Sequence, residues 1–233
     1  MLKIKAIVMD MDGTITNFNL DFMSFRRRAL EELQKMGLLT SDMTDQLPLF
    51  MILGKLRNEV ETNTFRAIRR RIYSMIEETE LKAAVDVTLY PGAVDTLRKL
   101  RDQSVMIGLV TNNSRKGTEL TLSRHRLHKL FDVVVTRDDC EDMKPAAEPV
   151  LKALAKLMVT SSEAVLIGDG VMDVMAAKAA GLPSVAVATG PFKSELLLKA
   201  EPDYILGSIN DLPALITSLN ITMEPASESR DHS

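Results

Sequence analysis

The chain alternates short apolar, β-branched runs with stretches in which apolar residues recur every three or four positions. Lys5-Ala6-Ile7-Val8-Met9 reads as a buried strand that ends in a polar turn. Val105 to Val110, Val133 to Val135, Ala164 to Ile167 and Ser184 to Val187 repeat the pattern, with Tyr204 to Leu206 as a shorter example. Between them, helical spacing appears at Val94, Leu97 and Leu100, and over Leu120 to Leu130. It returns at Val150, Leu151, Leu154 and Leu157, and again over Val174 to Ala180. Strands that are apolar throughout need cover on both faces, so intervening amphipathic helices predict a helix-covered parallel sheet. The expected fold class is α/β, with a doubly wound, Rossmann-like parallel-sheet core.

The alternation stops between about Asn17 and Val87, where only helical periodicity remains. Phe22, Phe25, Ala29, Leu33 and Met36 share one helical face, and Phe65, Ile68, Ile72 and Met75 another. Leu47 to Leu56 forms a third, more uniformly apolar helix. Tyr90-Pro91-Gly92 marks the return to the alternating pattern. The expected organisation is therefore a core of residues 1–16 and 88–220, interrupted by an inserted all-helical unit at 17–87. The polar stretch 221–233 reads as a flexible tail.

Composition narrows the classes. The 233 residues include 45% hydrophobic and 26% charged positions, which is ordinary for a globular protein with a real core. With 29 Lys and Arg against 32 Asp and Glu, the net charge is −3, which implies neither a nucleic-acid partner nor an acidic membrane surface. No apolar run is long enough to span a membrane, and Ile4 to Met9 is too short for a secretory leader. The single cysteine, Cys140, allows no internal disulfide, so a reducing, cytoplasmic setting is expected. Nothing near Cys140 looks able to activate it, and it reads as a small, partly buried thiol.

Candidate chemistry sits where strands are expected to end, the edge at which open parallel sheets bind ligands. Asp10-Met11-Asp12-Gly13-Thr14 follows the first strand. Two carboxylates one residue apart can divide labour, one as nucleophile or metal ligand and the other as acid and base. A polar strand-to-loop turn is the alternative. Thr111-Asn112-Asn113-Ser114 follows another strand and precedes a helix, which suits a phosphate, although Asn113 or Ser114 could simply cap that helix. Lys144-Pro145 would place Lys144 just before a helix whose first turn holds Pro145. That lysine could neutralise a phosphate or orient a carboxylate, or be a solvated surface residue. Gly168-Asp169-Gly170, with Asp173 four residues after Asp169, supplies the hard oxygen ligands that magnesium prefers, or a turn followed by a helix-start charge. Taken together, these stations supply, at one sheet edge, the groups that phosphoryl transfer requires.

In this order and spacing, D-x-D-G-T, T-N, K-P and G-D-x-x-x-D resemble the haloacid dehalogenase superfamily, over nearly the whole chain. The run A-A-K-A-A-G at Ala176 to Gly181 is similar to its phosphoglycolate-phosphatase-like branch. The resemblance implies a cytoplasmic, Mg2+-dependent phosphatase acting on a small phosphorylated metabolite through an aspartyl-phosphate. It implies Asp10 as nucleophile and metal ligand, and Asp12 as acid and base that also lends its backbone carbonyl to the metal. Thr111 and Asn112 would hold the phosphoryl group, Lys144 would stabilise its charge, and Asp169 would be a metal ligand. Asp173 would be a further ligand or a partner just behind the metal. The helical insertion resembles the family's cap, which closes over the site and selects substrates.

Alternatives within the family are a phosphosugar mutase and a phosphonatase; outside catalysis, a phosphate-sensing or regulatory protein is a third. Mutases of this group typically carry a histidine in the first cap segment, whereas His125, His128 and His232 all lie outside it. A phosphonatase needs a cap lysine, and nothing marks Lys35 or Lys55 as buried. Arg26-Arg27-Arg28 and Arg69-Arg70-Arg71 read as solvated helix faces, with contact to an anionic substrate as the alternative.

Overall fold

The structure is a computed structural model that describes residues 3–17, 22–189 and 194–222. Its centre is a six-stranded, all-parallel sheet in the order β3-β2-β1-β4-β5-β6. The strands are β1 (Ala6–Met9), β2 (Met106–Val110), β3 (Val133–Val135), β4 (Ala164–Gly168), β5 (Ser184–Val187) and β6 (Tyr204–Leu206). Each lies where the apolar runs predict it, within a residue at either end. The helices are α1 (Phe22–Lys35), α2 (Leu49–Glu59), α3 (Thr62–Asp86), α4 (Ala93–Asp102) and α5 (Arg115–Arg124). They continue with α6 (Glu148–Leu157), α7 (Val171–Ala180), α8 (Ser194–Lys199) and α9 (Leu212–Thr222).

The two-residue period of a strand divides the core. Ile7 and Met9 of β1 turn to one face, with Ile107, Leu109, Val165 and Ile167 beside them, and α4 and α9 cover that face through Leu97, Leu100, Leu212 and Ile216. Ala6 and Val8 turn to the other, where Val150 and Leu154 of α6 and Ala176 and Ala177 of α7 close over them. The small residues on this second face let α6 and α7 approach closely. Glycine ends α7: Gly181 takes φ 73°, the left-handed conformation that terminates a helix at little steric cost.

The inserted helices carry a hydrophobic cluster of their own, with Phe25, Leu33, Ile52, Leu56, Phe65 and Ile72 all buried. The chain leaves and re-enters the sheet layer along paired backbone: Asn17 N–H donates to Thr88 O (2.7 Å) and Tyr90 N–H to Ile15 O (3.0 Å). α3 also packs along α5, so its C-terminal half rests on the sheet layer.

Several expectations are corrected. The helix expected over Leu120 to Leu130 is α5, which starts earlier because Ser114 caps it, its hydroxyl accepting the Gly117 N–H at 3.1 Å, and which ends at Arg124. Met36 lies beyond α1 and is exposed, and Ile76, not Met75, is the buried residue on that face of α3. Pro145 is not in a helix: it follows a cis Lys144–Pro145 bond, and Pro149 occupies the first turn of α6. Ile221 and Thr222 continue α9 rather than beginning a tail; 223–233, the side chain of Phe22 and His232 lie outside the described residues. Among the described residues no helix is long and apolar enough to cross a membrane.

Ile167 is fully buried at the sheet centre, whereas Leu151 on α6 is 46% exposed. Ile167→Ala is expected to cost about 2–5 kcal/mol in urea denaturation, and Leu151→Ala about 0.5 kcal/mol or less. Equal losses would contradict this placement of the core.

Candidate active site

β1 lies between β2 and β4 and delivers Asp10 to the carboxyl edge of the sheet, where the direction of strand progression reverses. The Asp10 N–H extends the ladder by donating to Ile167 O at 2.9 Å. A tight loop follows, in which Gly13 takes φ 86° and its N–H donates to Thr16 O at 2.8 Å. A Cβ at Gly13 would collide with the Asp169 carboxylate, so the loops after β1 and β4 meet only because this residue is glycine. Asp169 directly follows β4. Asp173 sits in the first turn of α7, where its Oδ2 accepts the Gly170 N–H at 3.1 Å.

Lys144 enters from the segment between β3 and α6. It is 3% exposed, which rules out the solvated surface lysine. Its Nζ donates to Asp10 Oδ1 (2.5 Å) and Asp173 Oδ1 (2.6 Å). One ammonium thus faces three buried carboxylates. Burial, opposed by Lys144 and reinforced by Asp173, pushes Asp10 up to about 7. Burial and the charges of Asp10 and Asp173 push Asp169 up to about 9. Burial pulls the Lys144 ammonium down, but Asp10 and Asp173 outweigh it and raise its pKa.

A divalent cation fits this arrangement. Asp10, Asp169 and Asp173 each offer an oxygen, all within 4.8 Å of one another. Asp169 Oδ2 is buried and has no hydrogen-bond partner among the described residues. Hard oxygen donors of this kind suit a small divalent ion, whose charge would offset the mutual repulsion.

Asp12 is held apart from that cluster. Its Oδ1 accepts the Thr16 hydroxyl (2.6 Å) and its Oδ2 the Asn113 amide (2.5 Å). Burial raises its pKa, and these two donors oppose the rise. Thr111 is buried, with its hydroxyl oxygen accepting the Asn113 N–H at 3.2 Å. Asn112 donates to Lys144 O at 3.0 Å, while its Oδ1 is buried without a partner among the described residues. Asp10, Asp12, Thr111, Asn112, Lys144, Asp169 and Asp173 all border one cavity of about 420 Å³. Its opposite wall comes from α1, α2, α3 and the segment before α2: Phe25, Leu49, Phe50 and Ile76, with Arg26, Gln46 and Glu80 as polar members.

Comparison with known proteins agrees with this layout. The family model for haloacid dehalogenase-like hydrolases matches residues 7–187. The chain belongs to this family. A relative from Bacillus cereus (strain B4264), Pyrophosphatase PpaX, is 30% identical over 226 residues, which cover 94% of this chain and 99% of the relative. Among solved structures, a phosphonoacetaldehyde hydrolase-like protein from Oleispira antarctica superposes with TM-score 0.67 at 18% identity, covering 94% and 93% of the two chains. A "predicted phosphoglycolate phosphatase" from Haemophilus somnus 129pt gives 0.62 at 19%, covering 92% and 99%. At these identities the two structures share the fold of this hydrolase.

Other residues of the hydrolase sort by burial. Arg27, Arg28, Arg70 and Arg71 are exposed, as their sequence predicts, but Arg26 reaches the cavity. Arg69 crosses to the sheet layer to bind Glu141. His125, at the end of α5, contacts Val87 O (2.9 Å), and His128 pairs with Glu119, so neither borders the cavity. Neither Lys35 nor Lys55 does; they pair with Glu32 and Asp42. Burial pushes the Cys140 thiol up to about 11, consistent with an inert role. Sequence reasoning did not single out Thr16, which with Asn113 holds Asp12, or the buried pair Glu80–Arg137. Asn113, the third polar residue after β2, reads from the sequence only as a possible helix cap, not as a partner of Asp12. Glu80 and Arg137 lie among other charges in the sequence, Glu77, Glu78 and Lys82 around the first and Asp138 and Asp139 beside the second, and nothing there marks them as buried.

In metal-free protein the crowded carboxylates oppose folding at neutral pH, because their pKa values are raised above those of the unfolded chain. Asp169→Asn is therefore expected to raise the melting temperature without metal and to abolish the stabilisation by magnesium. In the wild type, Mg2+ at a hundredfold excess over its Kd is expected to contribute about 2.7 kcal/mol, or roughly 5–10 °C for a protein of this size. Calorimetry with and without Mg2+ checks both effects, and an undiminished magnesium shift in the variant would remove Asp169 from the metal site.

Proposed function

We propose that the protein is a Mg2+-dependent phosphatase that hydrolyses a small phosphomonoester through an aspartyl-phosphate on Asp10. The observation that carries this reading is the buried group of Asp10, Asp169 and Asp173 around Lys144, with Asp12 poised beside it in the same cavity. Asp10 and Asp169 would hold the ion, joined by the Asp12 backbone carbonyl, with Asp173 as a further ligand or as the partner that keeps Lys144 in place. When bound, magnesium supplies a Lewis acid that neutralises charge on the phosphoryl oxygens.

The protein's own groups supply the rest. Lys144 opposes the rise that burial imposes on Asp10 and so favours the ionised carboxylate that a nucleophile requires. Asp10 forms the new O–P bond as the leaving oxygen departs on the opposite side, and Asp12 gives that oxygen its proton. Asp12 then takes a proton from water, whose oxygen attacks phosphorus and frees Asp10 and phosphate. Thr111, Asn112 and Lys144 hold the phosphoryl oxygens through both steps. Helices α1 to α3, residues 17–87, act as a cap whose apolar wall keeps bulk water from the first step. Residues 1–16 and 88–220 form the catalytic core.

The relatives' name raises inorganic pyrophosphate as a second substrate. The apolar part of the wall, Phe25, Leu49, Phe50 and Ile76, supports an organic phosphomonoester instead, since it can pack against carbon in a leaving group and a bare diphosphate has none. Arg26 points to a second anionic group on the leaving side, as in phosphoglycolate: its Nε is buried without a partner among the described residues, while Nη1 donates to Asp45 O at 2.6 Å. A mutase or phosphonatase reading has less support, because no histidine, and no lysine except Lys144, borders the cavity among the described residues.

Hydrolysis of p-nitrophenyl phosphate is expected to require Mg2+ and to fall at least about a thousandfold in Asp10→Asn. Asp12→Asn is expected to lose roughly a hundred- to ten-thousandfold in kcat. Undiminished turnover in Asp10→Asn would remove Asp10 as nucleophile. Arg26→Ala is expected to raise KM for phosphoglycolate roughly tenfold, the loss of one charge-assisted hydrogen bond, while KM for the aryl phosphate changes little. Parallel changes for both substrates would place Arg26 outside the leaving-group pocket.

A further inference from the structure

A second charged cluster lies just behind the loop Thr111 to Ser114. Glu80, in the C-terminal half of α3, is 4% exposed, and Arg137, in the turn after β3, is 1% exposed. Their side chains form an ion pair through Arg137 Nη1 and Glu80 Oε1. The pair's remaining capacity goes largely to the loop. Glu80 Oε2 accepts the Ser114 N–H at 3.0 Å, and Arg137 Nη1 also donates to Asn112 O at 3.3 Å. The Arg137 backbone N–H donates to Asn113 O at 3.1 Å. Three successive loop residues therefore end on this one pair. On its other side Arg137 is held by α3, with Nη2 donating to Tyr73 O at 3.3 Å and the guanidinium 4.9 Å from the Tyr73 ring centroid.

Two charges buried this deeply persist only when paired and hydrogen-bonded, and an apolar pair of similar volume would hold α3 against the sheet layer equally well. An apolar pair could not satisfy the Ser114 N–H and the Asn112 carbonyl, which point out of the loop with no strand beside them. Thr111 and Asn112, in the same loop, border the same cavity as Asp10.

We propose that Glu80 and Arg137 are positioning residues for the phosphoryl-binding loop, tying its geometry to the placement of α3 in the inserted helical layer. The proposal rests on the phosphatase reading. Glu80 borders the cavity, but its two oxygens are engaged by Arg137 and the Ser114 N–H, so the pair acts by fixing the backbone whose side chains grip the phosphoryl group. A displacement of α3 moves Glu80 and Tyr73 together, and both are bound to Arg137, so the inserted helices and the phosphoryl grip are mechanically one unit.

The test is the double variant Glu80→Gln, Arg137→Met, which removes both charges together and leaves neither unpaired. Its melting temperature, its kcat and KM for p-nitrophenyl phosphate with Mg2+, and its affinity for orthovanadate by calorimetry are compared with wild type. The expected result is a melting temperature within a few degrees of wild type, kcat lower by roughly 10- to 100-fold, KM changed far less, and weaker orthovanadate binding. Arg137→Lys, which keeps the charge but loses the fork that reaches Glu80, Asn112 and Tyr73 at once, is expected to lie between the two. If the double variant unfolds below the assay temperature, Glu80→Asp and Arg137→Lys, which retain both charges, carry the same comparison. A folded variant with wild-type kcat and orthovanadate affinity overturns the proposal while leaving the phosphatase reading intact. Wild-type protein that neither turns over nor binds orthovanadate defeats the phosphatase reading, and this proposal with it.

Discussion

Three carboxylates crowd around a single buried ammonium, and much of the molecule is arranged to make that tolerable. Asp10, Asp169 and Asp173 arrive from two neighbouring strands and a helix start, while Lys144 reaches two of them from a third segment. Without a compensating cation the arrangement holds excess negative charge in a region of low polarisability, which is why the pKa values of Asp10 and Asp169 rise. On the proposed reading the same crowding creates a place where a divalent ion, and a phosphoryl group beside it, would be held strongly. Sites that bind charge tightly are those that were expensive to assemble empty.

The sheet makes that crowding possible. A parallel strand buried on both faces can carry a carboxylate on its end without spending side chains on its own stability, since Ile7, Val8 and their neighbours already secure it. Placing β1 in the middle of the sheet brings the ends of β2 and β4 to either side of Asp10. Glycine at position 13 then lets the loops meet where any other side chain would keep them apart. Rigid strands thus set the distances, and short loops set the directions.

The inserted helices supply what the sheet lacks, an apolar wall opposite the charges. Their own cluster, with Leu33, Ile52 and Ile72 fully buried, makes them a coherent layer. The layer is nevertheless bound to the sheet by polar contacts: Arg69 to Glu141, and Glu80 to Arg137 and the Ser114 amide. Packing within the layer and charge pairing across it play different parts. The first gives shape, and the second gives register against the site.

The strand runs and the order of the polar stations were legible because both are local: β-branched runs need no knowledge of their neighbours, and D-x-D-G-T or G-D-x-x-x-D is a contiguous pattern. α9 is not among the helices read from the sequence, although Leu212, Leu215, Ile216 and Leu219 carry helical spacing within the expected core, and it runs two residues past the boundary expected at 220. The start of α5 lies ahead of its apolar spacing because it is set by one hydroxyl, that of Ser114, one of the two cap candidates after the strand. By itself, then, the sequence determined the α/β core, the helical insertion and the residues with chemical potential at the strand ends. Only the tertiary structure decided that Lys144 is buried between Asp10 and Asp173, that Arg26 differs from Arg27, and that Glu80 meets Arg137. Each of these depends on burial and on partners far away in the chain, and a charge carries no mark of its surroundings until the fold supplies them.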